Sequence, residues 1–386
     1  MKHHPSILCL IAMILLVGAA LSGCRPAGKL APSAETSRTL QALLDSVVSS
    51  QGEYPIHNAV LLVEGPRVKW KGAAGTADGA GEPMTADHKF KGASIGKTFT
   101  ATVILQLAEE GRLSLDDTID KYLDDRVVKV DSLHVYKGVS YGRRITVRQL
   151  LSHTSGIADY MEDPRFIPGV LQHPQVKYDG AKILEKYYEY QTNHKALFPP
   201  GEGFNYSDVN YVLLAMMIER ITGQTYQAQL KARIFDPLGM KNSYVEHYEA
   251  PRGEAPLSHA FFSTVDLVTD VNTSFDWGGG GIASTAEEFN TFFRALLDGK
   301  LFKRRSTLER MLAEADKGRG ASSYYYGLGI MKRTIHGFTF YGHGGAYDCD
   351  AFYCPARKIS VCMSLNQMET QGKRDELLLQ AVRLIM

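Results

Sequence analysis

Apolar side chains recur three and four positions apart over Thr39–Ser50, at Leu40, Leu43, Leu44, Val47 and Val48, a spacing that predicts an amphipathic helix. Ala59–Val63 and Val68–Ala74 flank a Glu64-Gly65-Pro66 turn and predict two strands. Helical spacing dominates the middle of the chain, over about 94–110, 147–153, 181–190, 209–222 and 285–298. Strand-like runs return near Tyr326–Ile335, Phe338–Tyr341, Asp348–Tyr353 and Ile359–Asn366, and a last helix starts at about Arg374. Strands at both ends with helices between them predict an α/β fold. One antiparallel sheet is built from both termini, flanked by helices and interrupted by a mostly helical insertion. The expected α/β part is about 39–93 and 300–386, the helical part about 94–299, with a cleft between them. No internal repeat is present.

The N-terminus has a different pattern. Lys2 precedes an apolar run from Ile7 to Leu21, the layout of a secretion signal and short for a spanning helix. The run ends in Leu21-Ser22-Gly23-Cys24, which resembles a bacterial lipobox, with Cys24 as the lipidated first residue of the mature chain. An uncleaved anchor helix is the alternative. Residues 1–23 are thus expected to be a lipoprotein signal peptide, 24–38 an Ala-, Pro- and Ser-containing tether, and 39–386 the folded domain. The expected address is the bacterial cell envelope, with the body held on the membrane by a lipid anchor.

Composition narrows the partners. Lys and Arg number 43 against 42 Asp and Glu, so no broad attraction to nucleic acid is built in. The hydrophobic share of 44% is that of a folded domain and excludes general disorder. Cys349, Cys354 and Cys362 fall in one predicted hairpin around Pro355–Lys358; by strand parity Cys349 and Cys362 share a face. A disulfide there and plain packing are equally compatible with the spacing. Neither Cys-x-x-Cys nor His-Glu-x-x-His occurs, so no metal site and no cofactor are expected.

Gly92–Thr98 imitates a phosphate-binding loop, but that loop needs a glycine at 91, where Lys stands. The same residues offer Ser94-x-x-Lys97. At a helix start, positions three apart share a face, so a neutral amine can activate the hydroxyl as a nucleophile. The apolar spacing of Phe99, Val103 and Leu107 gives this helix a buried face. An N-cap serine beside a solvated lysine is the bland alternative.

Downstream stand Pro200–Asp208, with Tyr206-Ser207-Asp208, and then Tyr341-Gly342-His343-Gly344-Gly345. Ile145–Gly156, Phe235–Met240 and Gly279–Glu288 follow the same order of motifs. Together they resemble the serine β-lactamase and penicillin-binding-protein superfamily, in the branch of class C enzymes, D-aminopeptidases and esterases, over about 40–386. The resemblance implies a β-lactamase-like fold, Ser94 as acylated nucleophile, Lys97 as its activating amine and Tyr206 as proton shuttle. His343-Gly344-Gly345 takes the place of the Lys-Thr-Gly strand, as in esterase-like members. The implied oxyanion hole is the backbone N–H of Ser94 and of Ala346, with His343, Gly345 and Asp208 as substrate-binding positions. Gly345 is expected to let substrate approach the strand closely. His153 reads as structural, and Gly278–Gly281 as a tight turn. Tyr136, Tyr141 and Tyr160 either wall an apolar pocket or coat the surface.

Asp208 departs from the family's Asn. An ionised Asp only accepts hydrogen bonds, and beside Lys97 it favours the charged amine. The expected function is therefore serine hydrolysis or acyl transfer on small-molecule acyl substrates, esters first, with water, an alcohol or an amine as acceptor. D-amino-acid peptidase activity on cell-wall peptides comes second and β-lactamase third. A catalytically inactive binding or sensor lipoprotein is the non-enzymatic alternative, and the intact Ser94, Lys97 and Tyr206 argue against it.

Overall fold

A computed structural model describes residues 32–78 and 81–386; the apolar run and Cys24 lie outside them. Among the described residues no helix is long and apolar enough to cross a membrane. An eight-stranded antiparallel sheet contains β1 (Asn58–Glu64), β2 (Lys69–Gly75), β3 (Gly320–Ala321), β4 (Tyr324–Tyr326), β5 (Met331–Ile335), β6 (Phe338–Gly345), β7 (Cys349–Cys354) and β8 (Ile359–Ser364). Their order is β3-β4-β5-β6-β7-β8-β1-β2, so the two chain ends meet where β1 pairs with β8.

Strand parity divides the core. Ala59, Leu61 and Val63 of β1 point to one side with Phe352, Cys354, Val361 and Met363. There α1 (Ala34–Val47) and the C-terminal helix cover them through Leu40, Leu44, Leu377 and Leu378. Val60 and Leu62 point to the other side with Cys349 and Cys362, under the aromatic face of the helix Ala286–Leu297. Both faces are covered, which explains why β1, β7 and β8 are buried at every position. All three cysteines are free thiols, with Cys354 on the opposite face from the other two.

Several boundaries move. Helix α1 starts at Ala34 behind an N-cap at Ser33, so residues 34–38 are helix and not tether. The expected strand Tyr326–Ile335 is broken after Tyr326. Gly329 sits there at φ +76, so close to the helix Gly96–Glu109 that a Cβ would stand 2.2 Å from that of Ala101. The helix Ala286–Leu297 packs on β7 and β8, so the α/β part claims residues assigned to the helical part. A small sheet pairs Lys89–Lys91, just before the helical part, with Ile282–Thr285 and through it with Tyr244–Val245.

At the centre lies α2 (Gly96–Glu109), preceded by a 3-10 turn at Ala93–Ile95. Gly96 to Leu105 are all buried, a full wrap in place of the single buried face that the spacing implies. The polar rungs are satisfied: Thr98 Oγ1 donates to the Gly329 carbonyl at 2.7 Å and Thr100 Oγ1 to that of Gly278 at 2.7 Å. These threonines tie the helix to the loops at Gly278 and Gly329.

Candidate active site

Ser94 sits in a strained turn. Ala93, just before it, has φ +42, a conformation that costs a non-glycine residue free energy and that surrounding contacts must hold. Gly92 is fixed by its N–H to the Ile282 carbonyl at 2.8 Å. Gly345, at the end of β6, presses on this turn: a Cβ there would stand 2.4 Å from the Gly92 carbonyl and 3.1 Å from Ala93 Cβ. The glycine at 345 is therefore required by the protein's own backbone, a different reason from the substrate approach expected. Ala346 follows and lines the cleft together with Ser94.

Lys97 is fully buried, and its Nζ donates to Ser94 Oγ at 2.9 Å and to the Gly279 carbonyl at 2.8 Å. A third partner is the Asp208 carboxylate, in an ion pair with the same amine. The ammonium also lies 4.9 Å from the centre of the Tyr206 ring. This geometry suits proton exchange between Nζ and Oγ once the amine is neutral. Gly279 shows that the Gly278–Gly281 turn is also part of the site: it supplies a carbonyl to Lys97, and a Cβ there would meet Asp208 Oδ1 at 3.0 Å.

Tyr206 precedes α3 (Asp208–Thr222), whose N-terminal turn carries Asp208. Its ring is clamped by His153, stacked at 4.2 Å, and by Tyr326, edge-on at 5.9 Å. Burial, then the Asp208 charge, pushes the pKa of the Tyr206 phenol well up, and the neighbouring Ser94 hydroxyl opposes this. The phenol is thus held protonated beside Ser94.

His153 and His343 are buried supports. His153 Nδ1 accepts from the Ser207 N–H at 3.1 Å and from Asn210 at 3.0 Å, which assigns its proton to Nε2. The expectation that His153 is structural fits this geometry. His343, expected at the substrate, is fully buried on β6 and is not among the residues that line the cleft. Its Nδ1–H donates to the Gly344 carbonyl at 2.6 Å and its Nε2 accepts from Tyr326 at 2.9 Å. Burial and then Lys97 lower its pKa to about 3, so the ring is neutral. Its ring packs 5.6 Å from Tyr326 and 6.4 Å from Tyr206 between centres, while Gly344, Gly345 and Ala346 line the cleft.

Asp159 lies beside Asp208. It is buried, accepts the Asp208 N–H at 3.0 Å, and has its pKa raised by burial first and by the Asp208 charge second. The cleft, of about 350 Å³, is further lined by Tyr324, Met331, Arg333, Asp350, Phe352 and Arg374. These were not expected from the sequence, because β5, β7 and the C-terminal helix meet at the cleft only after the sheet forms. Tyr160 instead packs against Phe166 in the core, and Tyr136 belongs to a surface hairpin, so neither lines the cleft; nor does Tyr141.

Comparisons with known proteins bear on the family and the fold. The family model described as Beta-lactamase matches residues 45–384. A D-stereospecific amidohydrolase from Streptomyces sp. superimposes with a TM-score of 0.72 at 32% identity, over 88% of this chain and 97% of that one. Penicillin-binding protein 4* of Bacillus subtilis is 32% identical over 205 residues, 52% of this chain and 41% of its own length. D-aminopeptidase of Brucella anthropi is 28% identical over 300 residues, 74% of this chain and 51% of its own. The chain thus spans about half the length of these two curated relatives.

Proposed function

The chain belongs to the β-lactamase family of serine hydrolases and penicillin-binding proteins, and on that premise we propose that it forms an acyl-enzyme at Ser94 from donors lacking an acylamino group. Simple esters come first, D-amino-acid amides and peptides second. The observation that carries the reading is the chain of contacts from Ser94 Oγ through Lys97 Nζ, at 2.9 Å, to the Asp208 carboxylate. Lys97 takes the hydroxyl proton as Oγ attacks the acyl carbon. Tyr206 passes that proton to the leaving group, and the Ser94 and Ala346 amides receive the oxyanion, an interaction typically worth about 3 kcal/mol per donor. Water, an alcohol or an amine then takes the acyl group. The acceptor-only Asp208 supports the exclusion, since an acylamino carbonyl would find no side-chain donor there. The D-amino-acid reading is favoured by the likeness to the Streptomyces D-stereospecific amidohydrolase over nearly all of that chain.

Intact-mass measurement of the folded domain, after exposure to activated esters, D-alanyl peptides and penicillins, tests the reading. An acyl adduct that disappears in Ser94→Ala is expected; labelling that persists in this variant rejects Ser94. We place the protein in the cell envelope, tethered through Cys24. Cys24→Ala should leave the membrane fraction with activity intact, whereas retention there refutes the lipid anchor.

A further inference from the structure

The proposed oxyanion hole takes its two N–H groups from different parts of the molecule. Ser94 belongs to the 3-10 turn before α2, and Ala346 to the short turn 346–348 that joins β6 to β7. Such donors act at about 2.7–3.1 Å from the developing charge, so the spacing between the two turns has to be fixed. Asp348 ties the turn 346–348 to the C-terminal segment: its carboxylate accepts the Thr370 N–H at 3.0 Å and meets Arg374 at 3.1 Å. Tyr347 ties the same turn to the insertion. Its ring is buried, 5.9 Å from the ammonium of Lys91, and its hydroxyl donates to Asp276 Oδ2 at 2.9 Å. Lys91 itself is paired with Glu246 at 2.7 Å.

Asp276 leads back to Ser94. It ends the turn Ser274–Asp276, two residues before Gly278–Gly281. A Cβ at Gly280 would lie 3.2 Å from Asp276 Cβ and 3.1 Å from the carbonyl carbon of Ala93. Gly280 is thus wedged between Asp276 and the residue before Ser94, and its neighbour Gly279 gives its carbonyl to Lys97. Ala93, at φ +42, is the strained residue that surrounding contacts must hold. From Ala346 the path runs through Tyr347, Asp276 and Gly280 to Ala93 and Ser94, and one side-chain hydrogen bond closes it.

We propose that Tyr347 and Asp276 are positioning residues of the oxyanion hole, and that their hydrogen bond sets the Ala346 N–H against that of Ser94. The inference rests on the acyl-enzyme reading, and neither residue is among those that line the cleft. Charge on the acyl oxygen grows between the bound ester and the tetrahedral intermediate. A loosened Ala346 N–H therefore weakens the second more than the first, and acylation slows while ester binding holds. Ionised or neutral, the Asp276 carboxyl keeps an oxygen that accepts from Tyr347; the amide of an Asn keeps one too, and an Ala has none.

The test uses two probes. One is p-nitrophenyl acetate, with acylation read by stopped-flow release of p-nitrophenol and by the intact mass of the acetyl-enzyme. The other is phenylboronic acid, whose adduct on Ser94 Oγ is tetrahedral and anionic. Tyr347→Phe removes only a hydroxyl. It should slow acylation by about tenfold to a hundredfold, the range that a shift of up to roughly 1 Å supports. It should weaken phenylboronic acid by a similar factor and leave the dissociation constant of the ester unchanged. Asp276→Ala should behave in the same way, and Asp276→Asn should restore most of the loss. Tyr353→Phe controls for stability: it loses a bond of the same kind, from a buried tyrosine on β7 to Asp298 at 3.1 Å, and should change neither probe. Wild-type behaviour of Tyr347→Phe, equal losses in Tyr353→Phe, or an Asn at 276 that does no better than Ala would each overturn the positioning role. A wild type that takes no acetyl group at Ser94 would instead overturn the acyl-enzyme reading, and the oxyanion hole with it.

Discussion

Lys97 has more assigned to it than any other side chain in the protein. It is fully buried and meets a hydroxyl, a carbonyl, a carboxylate and two aromatic faces. A charge in such a place survives because every side of it is matched, and removing a partner leaves the others uncompensated. Tyr206 shares that environment, since the ammonium lies over its ring. We therefore expect Lys97→Ala and Tyr206→Phe each to depress acylation of Ser94 heavily. The double variant should be no worse than the poorer single one, because groups that move one proton act as a unit. Single-turnover labelling rates for the four proteins check this, and losses that simply multiply would make the two roles independent.

At the scale of elements, the long helices were legible because their apolar spacing is strong: about 209–222 was expected and Asp208–Thr222 is found. Ser94, Lys97 and Tyr206 were legible through short motifs and do meet around one cleft. What the sequence concealed is three-dimensional. Lys89-Phe90-Lys91 has polar ends, and its strand character comes from pairing with Ile282–Thr285 far along the chain. The motif at 343–345 suggested a histidine facing substrate, whereas His343 is buried against Tyr326 and the two glycines after it line the cleft. Gly345 shows how tightly β6 is set against the turn of Ser94. In Gly345→Ala the added methyl meets backbone at 2.4 Å, which cannot yield as a flexible side chain can. The strand end must shift, at a cost of roughly 1–3 kcal/mol, the scale of an overpacked core. Fluorophosphonate labelling should fall with it. Gly337→Ala makes the control: φ is +79 there but nothing lies within 4 Å of the new methyl, so stability should drop while labelling holds. Equal loss of labelling in both would disconnect β6 from the site.

At the scale of the whole molecule, buried charges tie the C-terminal helix to β5 and β7 of the sheet. Asp350 on β7 is 1% exposed and lies 3.6 Å from Arg333 on β5 and 3.7 Å from Arg374 on the C-terminal helix. Burial still outweighs these cations and pushes its pKa up to about 6, from an ordinary 3.8. Asp276, which accepts a hydrogen bond from Tyr347 at 2.9 Å, is raised to about 6 by burial as well. For such groups the folded state binds the proton more tightly than the unfolded chain does. Between the two values the native protein therefore carries more protons, and stability rises as the pH falls through that window. Acid lability begins lower, where Asp163 loses its ionic contacts; Arg165 first, and Lys195 with it, hold that carboxyl well below the usual range. Buried His343, lowered to about 3, and His153, also lowered, act in the opposite sense below about pH 6.5, because the unfolded chain takes up protons that the native rings do not. The carboxyl contribution, on the order of 1–3 kcal/mol for each group, is therefore read as a difference between proteins. Asp350→Asn, which imitates the protonated acid, should be stabilised relative to the wild type near pH 7.5, and that advantage should shrink toward pH 5 as Asp350 takes up its proton. Scanning fluorimetry of both proteins across this range checks this: a difference in Tm that does not change with pH would mean that Asp350 has no raised pKa, and its contacts with Arg333 and Arg374 would count as a stabilising ion network.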